Sequence, residues 1–295
     1  MNKLFIPLTI MLSLVAMFGL TSCGDDPEHG DKELWKGELA APEFADDAAL
    51  FRIEGSDLYS YIELSESGIY FVIPAQNDNI NYSSNYNMPM HERFAASRAS
   101  DSETGIISGR YSVVSKTEYR LENFGVVTYD EAKRTLGVTT VAGVKLTYKA
   151  IKEKNMASNA LNDRLCRTWQ IKSARMEFLD DDMKVVGEYT FTPSQVEEEY
   201  VESFTFTRSG MMYEYDGPDD SGVYKWQWTN SVSQILALMG FDDYDGAGMV
   251  QVYFDNEKAT FMMPSECDGY NSDYYDTPDN ASYQKEYITC TPYKY

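Results

Sequence analysis

The chain contains only two histidines, His29 and His91. A nucleophile–histidine pair would have to recruit His91, because His29 lies in an acidic lead-in. No Gly-x-Ser-x-Gly, His-Glu-x-x-His or Gly-x-x-x-x-Gly-Lys sequence occurs. Carboxylates are abundant, with 47 Asp and Glu, so spacing cannot select the two that glycoside hydrolysis needs. Asp242-Asp243-Tyr244-Asp245-Gly246 looks like part of a calcium loop. In register, however, Phe241 stands at the first ligand position and Val252 at the twelfth, where the bidentate Glu belongs. Asp216–Asp220 and Asp268–Asp279 can gather oxygen ligands, but acidic turn chemistry is the preferred explanation. The expectation is a protein without catalytic residues, metal or cofactor.

One cysteine does point to chemistry. Lys3 is followed by an apolar run from Leu4 to Leu20, and then by Thr21-Ser22-Cys23. A basic start, an apolar segment and small residues make a secretory signal. The run is shorter than the roughly 20 residues a spanning helix needs, and Pro7, Thr9 and Ser13 interrupt it. An ordinary cleaved signal would leave no anchor. Leu20-Thr21-Ser22-Cys23 resembles a bacterial lipobox, which implies acylation of Cys23 by palmitate-type chains. Gly24-Asp25-Asp26-Pro27-Glu28 resembles the start of mature Bacteroidota outer-membrane lipoproteins. That resemblance implies a lipid anchor in the outer membrane facing the cell surface, with a periplasm-facing protein as the alternative.

Cleavage before Cys23 leaves 273 residues and a formal charge of −23. Residues 201–295 carry 16 acidic and 5 basic side chains. Such a balance repels phosphate backbones, so nucleic acid is excluded as a partner. Cys166, Cys267 and Cys290 remain, an odd number. In an oxidising envelope Cys267 and Cys290 can pair and pin the acidic segment between them; the other reading is three buried free thiols.

These residues must be positioned mainly by strands. Val144, Leu146 and Tyr148 alternate with Lys145, Thr147 and Lys149, the period of a half-buried strand. Tyr224, Trp226 and Trp228 likewise share one face. Met249–Phe254 and Ala259–Met263 flank Asp255-Asn256-Glu257-Lys258 as a hairpin. Thr192-Pro193-Ser194-Gln195 predicts a capped helix through Glu199. Val232, Ile235, Leu236 and Met239 have helical spacing behind Asn230 and Ser231; a buried strand is the competing reading.

The chain also repeats itself. Residues 62–70 match 204–212 as strand, Ser-Gly turn and strand; 107–111 match 220–224; 126–130 match 250–255. The expected division is a signal peptide 1–22, an acidic tether 23–45, a first β domain 46–155 and a second 156–295. Residues 75–103 form a long Asn-, Ser- and Tyr-rich loop in the first.

The order Cys166-Arg167-Thr168-Trp169, Phe204–Gly210 and Gly222-Val223-Tyr224-Lys225-Trp226 resembles the lipocalin-like domains of Bacteroidota lipoproteins, although Arg167 stands where lipocalins carry glycine. The fold expected is mainly β, in two tandem antiparallel meander domains. The second is a lipocalin-like barrel or half-barrel with one or two short helices; paired immunoglobulin-like sandwiches are the alternative. The resemblance implies a binding protein that holds a small apolar or amphipathic ligand, with Trp169, Tyr213, Tyr224, Trp226 and Trp228 as the wall. The other reading is a surface module for glycan or protein. It would act through acidic loops bearing Tyr270, Tyr274, Tyr275, Tyr283 and Tyr287.

Overall fold

The structure, a computed structural model, describes residues 35–36, 39–75, 106–215, 221–240, 248–267 and 275–293. A two-residue strand, β1 (Trp35–Lys36), comes first. It is followed by β2 (Ala49–Glu54), β3 (Tyr59–Leu64), β4 (Ile69–Pro74) and β5 (Ile107–Ser115). Then come β6 (Glu118–Leu121), β7 (Gly125–Asp130), β8 (Thr135–Thr140) and β9 (Lys145–Lys152). Each of β2 to β9 pairs with the next, and β9 pairs back to β2, so the sheet closes into an eight-stranded barrel. The alternation of side chains decides what fills it. Phe51, Ile62, Leu64, Tyr70, Val127 and Leu136 are fully buried inside. Their rings touch in series: Phe51 to Tyr129 at 5.0 Å, Tyr59 to Phe124 at 5.7 Å, Tyr70 to Phe124 at 6.1 Å.

Helix α1 (Ala160–Leu165) follows, capped by Asn159, whose side chain accepts from the backbone of Leu161 and Asn162. Then come β10 (Thr168–Leu179), β11 (Val185–Thr190) and helix α2 (Pro193–Glu199). The capping box expected at Thr192 is formed: Thr192 caps Gln195, and Gln195 Oε1 accepts from the Thr192 backbone at 2.8 Å. The remaining strands are β12 (Ser203–Phe206), β13 (Met211–Tyr215), β14 (Ser221–Asn230), β15 (Ile235–Gly240), β16 (Gly248–Asp255), β17 (Lys258–Glu266) and β18 (Tyr283–Pro292). They pair in the order β16-β15-β14-β13-β12-β10-β18-β17, and β17 returns to β16. β11 adds to β10, and β1 runs parallel to β16. The chain is therefore mainly β, with two closed eight-stranded barrels and, among the described residues, two short helices. The sequential pairing excludes the crossed strand order of immunoglobulin-like sandwiches. Among the described residues no helix is long and apolar enough to cross a membrane.

The internal repeat is structural. The segments matched by sequence fall on β3–β4 and β12–β13, on β5 and β14, and on β7 and β16, which hold the same places in the two strand orders. The matched turns close in the same way. Ser65 N donates to Ile69 O and Gly68 N to Ser65 O; Thr207 N donates to Met211 O and Gly210 N to Thr207 O. Gly68 and Gly210 take φ values of 80° and 90°, which a side chain would strain.

By packing, the chain divides into two compact units. One gathers Ala40–Thr168 with Phe204–Gly222, and the other the described residues of Trp169–Ser203 and Val223–Tyr295. In the second, Trp169 is fully buried, with its ring 6.1 Å from both Phe254 and Phe261. Trp226, Leu236, Val250 and Val252 are buried with it.

The helix expected over Val232–Met239 is not formed. Asn230 Oδ1 accepts from Val232 N and Ser233 N, both at 3.0 Å, and closes a tight turn in which Gln234 has φ 52°. Val232 is exposed, and Ile235–Gly240 continue as β15 between two neighbouring strands, where a continuous apolar run is what burial on both sides demands.

Candidate functional site

The first barrel presents a groove at one end. Three segments make it: the end of β7, the turn Glu131–Arg134, and the end of β9. It encloses about 520 Å³ and is lined by Tyr129, Glu131, Arg134, Ile151 and Lys152. The floor is fixed. Tyr129 packs against Phe51, and its hydroxyl accepts from Lys152 N at 3.3 Å. The rim is set by backbone geometry: Arg134 turns the chain at φ 51°, and its carbonyl accepts from Ala150 N at 3.0 Å. Two cations thus stand over a small apolar floor.

The cations continue along the barrel wall. On β9, Lys145, Thr147 and Lys149 face outward opposite Thr139, Gly137 and Thr135 of β8. The neighbouring acids are already engaged. Glu153 accepts from Arg52 Nε at 2.7 Å and Glu54 from Arg52 Nη1 at 3.4 Å. Asp130 holds Lys133 at 2.7 Å. Among the described residues Lys145, Lys149, Lys152 and Arg134 have no ion-pair partner.

Two buried carboxyls with raised pKa values lie elsewhere in this unit. Glu63 is buried and accepts from Ser209 Oγ at 2.5 Å and from the Tyr213 hydroxyl. Burial pushes its carboxyl up to about 7, against the lowering effect of those hydroxyls. Glu66 Oε1 accepts from Arg208 N at 3.0 Å, while Oε2 has no hydrogen-bond partner, and burial raises this carboxyl to about 8. Arg208 turns to Asp163 at 3.1 Å. Cys166 is fully buried beside this network, and desolvation raises its thiol well above the ordinary range. The arrangement holds the β12–β13 hairpin in place.

The aromatic wall expected from sequence is only partly assembled. Tyr224, Trp226 and Trp228 do share one face of β14, and Trp226 is buried with its ring 5.8 Å from Trp228. Trp169 is packed between Phe254 and Phe261. Tyr213 serves a different purpose: it stacks flat on Phe71 at 3.8 Å and bonds Glu63. Tyr275 is committed to Phe178 and Tyr189, and Arg175 sits 3.9 Å over the ring of Tyr287, so neither tyrosine stands ready to stack on a sugar.

The Cys267–Cys290 disulfide is not formed; both are free thiols, as is Cys166. Cys267 N bonds Ser282 O just before β18, whereas Cys290 lies opposite Ala259 near the other end of that strand. About eight residues at ~3.3 Å each separate the two sites, far beyond the ~4.4–6.8 Å that a disulfide spans. Cys23, loop 75–103 beyond Ala75, Asp216–Asp220, Asp242–Gly246, Tyr270 and Tyr274 lie outside the described residues. Among the described residues no three His, Cys, Asp or Glu side chains are grouped to hold a metal.

Sequence reasoning passed over the groove because it weighed charge only where acids dominate. The available signal was an excess of nine basic over five acidic side chains in residues 106–154 of a chain whose net charge is −22.

No protein-family model and no curated protein matches the chain. Among solved structures it is similar to a catalytically inactive virginiamycin B lyase from Staphylococcus aureus crystallised with quinupristin. The identity is 10%, the TM-score 0.13, and the match covers 88% of this chain and 99% of that one. A TM-score that low supports no argument about fold or activity.

Proposed function

We propose that the protein is a lipid-anchored outer-membrane binding module that engages its partner on the outside of its barrels and carries out no chemistry. One observation carries the reading: the barrel interiors are occupied by their own large side chains, Phe51, Tyr70 and Leu136 in one and Trp169, Trp226 and Phe254 in the other. A lipocalin-like calyx admits a ligand only where such side chains leave room. The groove at the barrel end, between Tyr129, Arg134 and Lys152, supplies a concave surface open to solvent. Anchoring follows from Cys23 at the end of the signal sequence, and surface exposure from the acidic residues after it.

Cells fed a clickable palmitate test the anchor and its orientation. The wild type should take up label, Cys23→Ala should not, and protease added to intact cells should remove the labelled protein. Label retained by Cys23→Ala, or complete protection from protease, contradicts the anchored, surface-exposed reading.

A further inference from the structure

We infer that the β8–β9 face of the first barrel, with the groove at its end, is a binding surface for an acidic polysaccharide. The inference rests on the outside-binding reading above and names its ligand class. Four observations bear on this part of the barrel, the outer β8–β9 face and the groove at its end. Lys145 and Lys149 stand about 13 Å apart on one exposed strand face, at ~3.3 Å per residue. Arg134 and Lys152 add two exposed cations at the barrel end, where they line the groove, Lys152 lying by alternation on the other face of β9 from Lys149. The acids that would ordinarily neutralise such a row are held by other cations: Glu54 and Glu153 by Arg52, Asp130 by Lys133. Glu131 alone brings negative charge to the groove lining.

Hydroxyls and shape complete the strip. Thr147 lies opposite Gly137, which lies opposite Thr128, so three strands form a row with a notch at its centre. A Cβ at Gly137 would come within 2.7 Å of Thr128 Oγ1, so the two strands meet there without an intervening side chain. A low, hydroxyl-lined face flanked by unneutralised lysines matches a chain of sugar rings carrying carboxylates or sulfates. The anions meet the cations, and the ring hydroxyls meet the threonines. The rest of the molecule, with its large excess of acid, repels the same polymer and confines it to this strip. A membrane of anionic lipid would satisfy the lysines but leave the threonine row and the groove without a role.

The test uses the mature lipoprotein in neutral detergent, with polygalacturonate and heparin fragments as probes and neutral dextran as control. Polyanion binding that weakens with added salt and falls about tenfold in Lys145→Gln/Lys149→Gln is the expected result. Arg134→Gln/Lys152→Gln should lose affinity similarly, whereas Lys184→Gln, an exposed lysine beside Asp182, should not. All of these positions are exposed, so the variants should fold as the wild type does. Failure to bind either polyanion at low salt, unchanged affinity in both double variants, or binding only to anionic lipid vesicles overturns the inference. The broader reading fails separately, if a ligand is found inside a barrel.

Discussion

Arg208 donates its backbone N–H to Glu66 Oε1 at 3.0 Å, and these two residues hold the same position in two copies of one turn. Glu66 follows Ser65 in the β3–β4 hairpin, and Arg208 follows Thr207 in the β12–β13 hairpin. At this matched position one turn carries an acid and the other a base. The same interlock brings Ser209 and Tyr213 onto Glu63 and lays Tyr213 on Phe71. The two turns thus meet through a backbone N–H and a carboxylate, and each closes with the same pattern of its own backbone hydrogen bonds.

Burial makes this contact sensitive to protons. Both carboxyls are raised in the folded protein, Glu63 to about 7 and Glu66 to about 8, from an ordinary value of 4.5. Their protonated forms are therefore favoured by folding. The stabilisation is fully present below about pH 4.5 and is lost as pH rises through 7 to 8. Thermal melts of the wild type should show the melting temperature falling between about pH 5 and pH 9. Glu66→Gln should flatten that fall, because a neutral amide occupies the site at every pH. An equally steep profile in the variant would show that Glu66 is not the group responsible.

Gly68 carries a backbone that a side chain resists, and a Cβ there would sit 2.7 Å from the ring of Phe44. Gly68→Ala should cost about 1–3 kcal/mol in denaturant unfolding, with an unchanged slope against denaturant. A loss below about 0.5 kcal/mol would mean that the turn relaxes, and that the φ of 80° is not demanded by the hairpin.

Trp226 tests whether the second barrel is filled or lined. Trp226→Ala removes a buried indole and should destabilise by about 3–5 kcal/mol. Polyanion affinity of the folded fraction should be unchanged. A variant as stable as the wild type would indicate a pocket wall in place of a packed core.

Thiol chemistry gives a further check. The unfolded protein should titrate Cys166, Cys267 and Cys290 as three thiols. In the native state half-buried Cys267 should react first, with buried Cys166 and Cys290 slow. Cys267→Ser should leave stability within about 0.5 kcal/mol of the wild type. A single reactive thiol in the unfolded, non-reduced protein would restore the Cys267–Cys290 bridge.

Much of the fold was readable because strands and turns are local. The hairpin around Asp255–Lys258 needed only a polar turn between alternating runs, and Asn256 supplies its φ of 53°. The Thr192 cap needed only four residues. The repeat was readable because each copy kept its glycine. Ile235–Gly240 was ambiguous because an apolar run buried on both faces has no period that separates strand from helix. The site was harder. The distance from Cys267 to Cys290 depends on the register of β18, which sequence does not give. Whether Arg134 or Lys149 is neutralised depends on which acids Arg52 and Lys133 have already taken. Tyr213 reads as an ordinary strand aromatic until Glu63, 150 residues away, is seen to accept its hydroxyl.

Native mass spectrometry of the protein, purified gently from the cells that make it, tests the central claim most directly. Barrels filled by their own side chains predict the bare polypeptide mass after desalting, with polyanion adducts that vanish as salt rises. A reproducible added mass that survives both desalting and high salt would place a ligand in an interior, and would contradict the account.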